Sequence, residues 1–254
     1  MENALNLPEG ARIGTVPYLN AWPLVSFIPG EIRSAVPSEL ALAYEAGALD
    51  AALVPIYQLL QQAAPQIAEG ICISSQGEVF SVFLAHREPL REIPRVHLDP
   101  ASRTSNALFR CLCAEFLDWI PEFSTQLPGE GDARILIGDA AIEFRILHAE
   151  GWRFLDLGQA WTTYTGLPFV YAAWGLNGKM ALQIAKFLRA VKQKGIANLD
   201  KLTATYHRPD FAKIYLGGYI RYDLKEAEKQ AISLFAELLH KYGLSPVLSR
   251  PIFV

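Results

Sequence analysis

Four short polar clusters in this 254-residue chain carry the residue types needed to hold a small anion and act on it. Asp99-Pro100-Ala101-Ser102-Arg103-Thr104-Ser105 offers three hydroxyls and a guanidinium at a turn that follows a strand-like run and opens a long helix. A helix start presents free N–H groups and the positive end of the helix dipole, which suits a carboxylate. Ser102 can equally serve there as a plain N-cap. Tyr18-Leu19-Asn20 closes the first strand, where the Asn20 amide can donate to a substrate oxygen or simply complete a turn. Ser81 is a hydroxyl in an otherwise apolar run (VFSVF), open to a backbone or a ligand partner. Gly138-Asp139 ends another apolar run, and Asp139 reads either as a cap or as a carboxylate for substrate hydroxyls.

Other chemistries lack their residues. No G-x-S-x-G, H-E-x-x-H, C-x-x-C or G-x-x-x-x-G-K-[ST] occurs, and Gly129-Glu130-Gly131 lacks the third glycine of a dinucleotide loop. The five histidines are scattered without metal partners at helical spacing; His86 and His97 have no orienting neighbour in sequence and read as core or solvated. Cys111 and Cys113, two apart on a helix, point to different faces, and three cysteines cannot pair completely. A reduced, cytoplasmic protein without metal or organic cofactor is expected. Trp161, Trp174 and Tyr171 read as core aromatics.

A net charge of −3 with no basic run argues against a nucleic-acid or anionic-membrane partner. MENALNLPEG has neither a basic residue nor an apolar run, so it does not read as a secretory signal. The longest uncharged stretch, residues 158–178, is interrupted by Gln159, Pro168 and several glycines and reads as buried turn and strand rather than a membrane span. With 51% hydrophobic and 19% charged residues, the chain is globular.

Strands alternating with helices must position these clusters. Strand patterns fall at residues 11–16, 49–54, 71–74, 79–86, 96–99, 135–137, 154–157 and 167–176. Helices are expected at 38–46 with Ser38 as N-cap, at 56–62, at 104–119 and at 139–149, with three more after residue 178. The last, 223–242, has Asp223 as N-cap, Glu226 completing a capping box and Gly243 as terminator. The alternation predicts an α/β protein with largely parallel sheets. Two strand-like crossings near Ser81 and Tyr171 divide it into two lobes around a ligand cleft, 1–83 with 173–254 and 84–172.

Taken in order, VPYLNAWPL (16–24), GALD (47–50) with Pro55, GEVFSV (77–82), SRTS (102–105), IGDAA (137–141) and DLG…W…TGLPFV (156–170) resemble the chorismate dehydratase family of the futalosine route to menaquinone. The resemblance covers about two-thirds of the chain. It implies a two-lobed fold like that of type II periplasmic binding proteins, and conversion of chorismate, a small dianionic substrate, to 3-[(1-carboxyvinyl)oxy]benzoate and water. It also implies catalytic roles for Asn20 and Ser81, and substrate binding by Tyr18, Ser102, Arg103, Thr104, Ser105, Gly138 and Asp139. It gives Asn20 the task of stabilising a dienolate and names the substrate's own enolpyruvyl carboxylate as the base. Two other readings compete. The sister enzyme that releases dihydroxynaphthoate opens with a different loop and relies on a histidine, and Tyr18-Leu19-Asn20 argues against it. A carboxylate-binding protein without catalysis would normally be exported.

Overall fold

Long apolar runs become strands here because both faces of each sheet are covered. The strands are β1 (Ile13–Thr15), β2 (Arg33–Ser34), β3 (Ala51–Pro55), β4 (Gln66–Ser75), β5 (Val82–His86), β6 (Arg95–His97), β7 (Glu122–Ser124), β8 (Ala133–Ile137), β9 (Arg153–Asp156), β10 (Phe169–Leu176) and β11 (Ile252–Phe253). The computed structural model describes residues 6–100, 102–126, 129 and 132–254; Ala101 of the hydroxyl-rich turn and Glu130-Gly131 lie outside the described residues.

A six-stranded sheet has the order β11-β4-β10-β3-β1-β2, and a five-stranded sheet the order β7-β6-β8-β5-β9. Contrary to the expectation of largely parallel sheets, both are mixed. β10 runs antiparallel to β3 and β4, and β5 runs antiparallel to β8 and β9. The cause is topological: β5 and β10 are the first strands after each passage between sheets, and each enters against its neighbours. Val82 and Phe83 pair within the second sheet and Phe169–Ala172 within the first, so the passages are the segment 76–81 and the stretch between β9 and β10.

Several helix boundaries differ from their sequence signals. The helix Pro37–Glu45 starts one residue early, with Pro37 at its first turn and Val36 rather than Ser38 as N-cap, because a fixed proline φ is already helical. Arg103–Leu112 does open on Ser102, whose hydroxyl accepts the Ser105 N–H at 3.3 Å. It stops short of Trp119, passing into a π-helical turn, Cys113–Leu117, that ends on left-handed Asp118. Residues 157–165, expected as turn, form a helix. Asp156 caps it by accepting the Gln159 N–H at 3.0 Å, and Thr, Gln and Tyr face water where charges would have marked an amphipathic helix. The final helix is Glu226–Lys241, not 223–242: Glu228 accepts the Lys225 N–H at 3.0 Å, while Asp223 is held instead by the buried Lys192 ammonium at 2.5 Å. Among the described residues no helix is long and apolar enough to cross a membrane.

Candidate functional site

The parallel strands β1, β3, β6 and β8 aim their carboxyl ends at one cavity between the sheets, the place where open α/β sheets hold ligands. The space inside it, its open mouth included, is about 660 Å³. Three helices of nine or ten residues, Pro37–Glu45, Arg103–Leu112 and Gly138–Leu147, begin at its wall, with Pro37, Thr104 and Gly138 as lining residues. Converging helix starts favour negative charge. Apolar side chains, among them Val16, Leu53, Ile73, Val79 and Ile137, line the remainder.

Of the residues singled out in the sequence, Tyr18, Asn20, Ser81, Ser102, Thr104, Ser105 and Gly138 line this cavity. Two do not. Arg103 turns outward from its helix start and donates to the Gln58 side-chain oxygen at 3.1 Å. Asp139 turns back under the Tyr18–Asn20 loop, where its carboxylate accepts the Leu19 N–H at 3.3 Å; burial pushes its pKa up. Asp139 is therefore a cap, though of another element's turn rather than of its own helix, whose N-cap is Ile137.

Two glycines show how tightly the wall is built. Gly138 has φ +62° and packs under the Tyr18 ring, whose Cδ1 would lie 3.5 Å from any added Cβ. At Gly158 a Cβ would collide with the Tyr171 and Ser75 hydroxyls and the Gly77 carbonyl.

Asn20 sits in a 3-10 turn, Leu19–Ala21, directly after β1. Asn20 lines the cavity, and its Oδ1 is buried without a hydrogen-bond partner, an unusual condition. Ser81 is 1% exposed, and its hydroxyl lies 2.7 Å from that of Tyr215, itself 1% exposed. Burial pushes the Tyr215 phenol well up, and the neighbouring Ser81 hydroxyl and Asn20 amide pull it part of the way back. Tyr171, read from sequence as core, also lines the cavity, and its hydroxyl lies 3.0 Å from that of Ser75.

The backbone before Ser81 is forced into place. Phe80 has φ +69°, rare for a residue with a side chain. The Asp156 carboxylate accepts the N–H groups of Val79 at 3.1 Å and of Phe80 at 2.8 Å, and the Phe80 ring packs against Phe211, Tyr219 and the Arg145 guanidinium. Sequence reasoning did not identify Tyr215 or Asp156 as part of this site. Tyr215 belongs to a one-turn π-helix, Tyr215–Tyr219, and such turns often mark function, but nothing in YLGGY announces one.

The histidines stand elsewhere. His86 binds the Glu88 carbonyl, and His97 pairs with Asp132 at 2.8 Å, an orienting carboxylate that local sequence did not reveal; neither lines the cavity. Cys72, Cys111 and Cys113 are buried, with thiol pKa values pushed up to about 12. Among the described residues no group of three His, Cys, Asp or Glu side chains is placed to hold a metal ion.

Known proteins show the same architecture. The chain is 29% identical over 257 residues to a chorismate dehydratase of Thermus thermophilus, covering 89% of this chain and 94% of that protein. It is 26% identical over 234 residues to a chorismate dehydratase of Campylobacter jejuni, covering 90% and 93%. The periplasmic aliphatic sulphonate binding protein SsuA of Escherichia coli superposes with a TM-score of 0.59 at 17% identity, covering 94% of each chain, which shows the two-lobed binding-protein fold. The family described as Menaquinone biosynthesis matches residues 11–241, nearly the whole chain, and this protein belongs to it.

Proposed function

We propose that this protein dehydrates chorismate to 3-[(1-carboxyvinyl)oxy]benzoate as a cytoplasmic enzyme of the futalosine route to menaquinone. The observation that carries the reading is the placement of Asn20 and of Ser81, paired with Tyr215, on the wall of a cavity onto which three helix starts converge. The family and the names of its two relatives support it. The chain divides, in the same reading, into lobes 1–83 with 173–254 and 84–172; the assignment of β1–β4, β10 and β11 to one sheet and β5–β9 to the other supports two lobes with two crossings, though β5 already begins at Val82 and β10 at Phe169.

Chorismate is a dianion, and helix starts and hydroxyls match it better than a set of acidic side chains would. The C3 hydrogen is vinylogous to the ring carboxylate, so its removal produces an extended dienolate. Expulsion of the C4 hydroxyl, which leaves with the abstracted proton as water, then makes the ring aromatic. Aromatisation drives the reaction, leaving the protein to fix geometry and stabilise the dienolate. Asn20 and Ser81 supply neutral donors for that charge, and Tyr18, Ser102, Thr104, Ser105 and Gly138 shape and hold the substrate. The base is the substrate's own enolpyruvyl carboxylate, held against C3 by these contacts. Arg103 and Asp139 brace the walls from outside.

Incubating purified protein with chorismate tests this directly. Loss of diene absorbance together with a product lighter by one water is the expected result. Binding without turnover would make the protein a carboxylate-binding member of the same fold.

A further inference from the structure

Tyr215 lies 134 residues from Ser81, outside every cluster singled out in the sequence, yet its hydroxyl lies 2.7 Å from that of Ser81. The direction of that bond follows from acidity: a phenol is far more acidic than an aliphatic hydroxyl and is the stronger donor. Within this buried pair the phenol therefore donates, and Ser81 Oγ accepts, across 2.7 Å. With its oxygen already accepting, Ser81 has its own proton free to enter the cavity it lines.

We propose that Tyr215 is a positioning residue that fixes the Ser81 hydroxyl as a donor to the substrate, by donating its own hydrogen bond to Ser81 Oγ. The proposal rests on the dehydratase reading above. Burial supports it by holding the phenol protonated throughout the neutral range, so it stays a donor. Packing holds the ring still: it stacks on Phe211 at 5.7 Å and 11° between planes. Phe211 also packs on Phe80, so one aromatic group sets both the backbone before Ser81 and the phenol that orients its hydroxyl. No proton needs to move between the two hydroxyls. The effect of the bond is to remove the rotamer in which Ser81 would accept from the substrate, an arrangement that would oppose developing negative charge.

The test is a double-mutant cycle on chorismate turnover with Tyr215→Phe, Ser81→Ala and the pair, each checked for an unchanged melting temperature. Tyr215→Phe keeps the ring and should lower kcat roughly tenfold, about one hydrogen bond's worth, with KM within about twofold. In the Ser81→Ala background the same change should add almost nothing, because the hydroxyl it orients is gone. Effects that multiply, or an unchanged kcat in Tyr215→Phe, would overturn the proposal. If Tyr215→Phe does not fold, Tyr215→3-fluorotyrosine serves instead: it keeps the ring, strengthens the O–H donor and should hold or raise kcat, whereas a loss as large as that of Ser81→Ala would overturn the donor direction. A wild type that does not turn over chorismate would reject the dehydratase reading and this inference with it. A wild type that does, with Tyr215→Phe as fast, would reject the inference alone.

Discussion

Asp139 and Leu19, 120 residues apart in sequence, are joined by a hydrogen bond of 3.3 Å from the Leu19 N–H to the Asp139 carboxylate. Leu19 follows β1 of the first sheet and Asp139 follows β8 of the second, so the loop carrying Asn20 is anchored from across the cavity. Thr104 does the same on another wall, accepting the Tyr57 N–H at 3.2 Å. Asp139→Ala should therefore lower kcat by loosening the Asn20 turn, while Asp139→Asn, which keeps an acceptor oxygen, should restore much of it. Equal losses in both variants would show that the charge matters rather than the bond.

Asn20→Asp is expected to keep the fold and much of the substrate affinity but to lose most activity. An ionised carboxylate offers no donor and repels the dienolate. The loss of one such donor typically costs about a hundredfold to a thousandfold in turnover. Circular dichroism and steady-state kinetics on the same preparation check it.

Ser105→Ala should weaken chorismate binding by about 1.5–3 kcal/mol, the usual contribution of a hydrogen bond to a charged group, with little change in stability. Thr104→Ala should weaken binding and also lower the melting temperature, because the Tyr57 N–H loses its acceptor. Titration calorimetry paired with thermal unfolding separates the two effects. A Ser105→Ala variant that loses stability but binds normally would mean the hydroxyl has only a structural role.

Acid should destabilise the protein partly through Asp223. Its hydrogen bond from Lys192, reinforced by Lys225, holds its pKa below the ordinary value. A depressed folded-state pKa contributes stability above the unfolded value of about 3.9 and loses it as pH falls through the folded one. Asp223→Asn should therefore unfold at a lower temperature at pH 7, yet lose less than the wild type between about pH 5 and 3. Asp223 is half exposed, so the difference should be small.

Much of the cavity was legible because it obeys a local rule. Tyr18-Asn20, Ser102-Ser105 and Gly138 all lie where a strand hands over to a helix, and in this topology those turns converge. Arg103 broke the pattern because consecutive helical side chains point about 100° apart: Thr104 faces the cavity while Arg103 faces Gln58. Tyr215 and Asp156 act over 134 and 76 residues of separation, and no local spacing encodes such a pairing. The helix Leu157–Thr165 escaped for a simpler reason, since its exposed face carries hydroxyls and amides instead of charges. Asp223 looked like a cap until the buried Lys192 claimed it.

Phe80 leaves a distinctive mark on which sequences this fold accepts. A glycine would suit its backbone angle, relieving about 1–2 kcal/mol of left-handed strain, but it would empty the space among Phe211, Tyr219 and Arg145. A leucine or valine would partly fill that space and keep the strain, and a β-branched side chain would keep the worst of it. Position 80 should thus be intolerant in a saturation screen for opposite reasons at opposite ends of the size scale, an unusual profile for a half-buried residue outside any strand or helix.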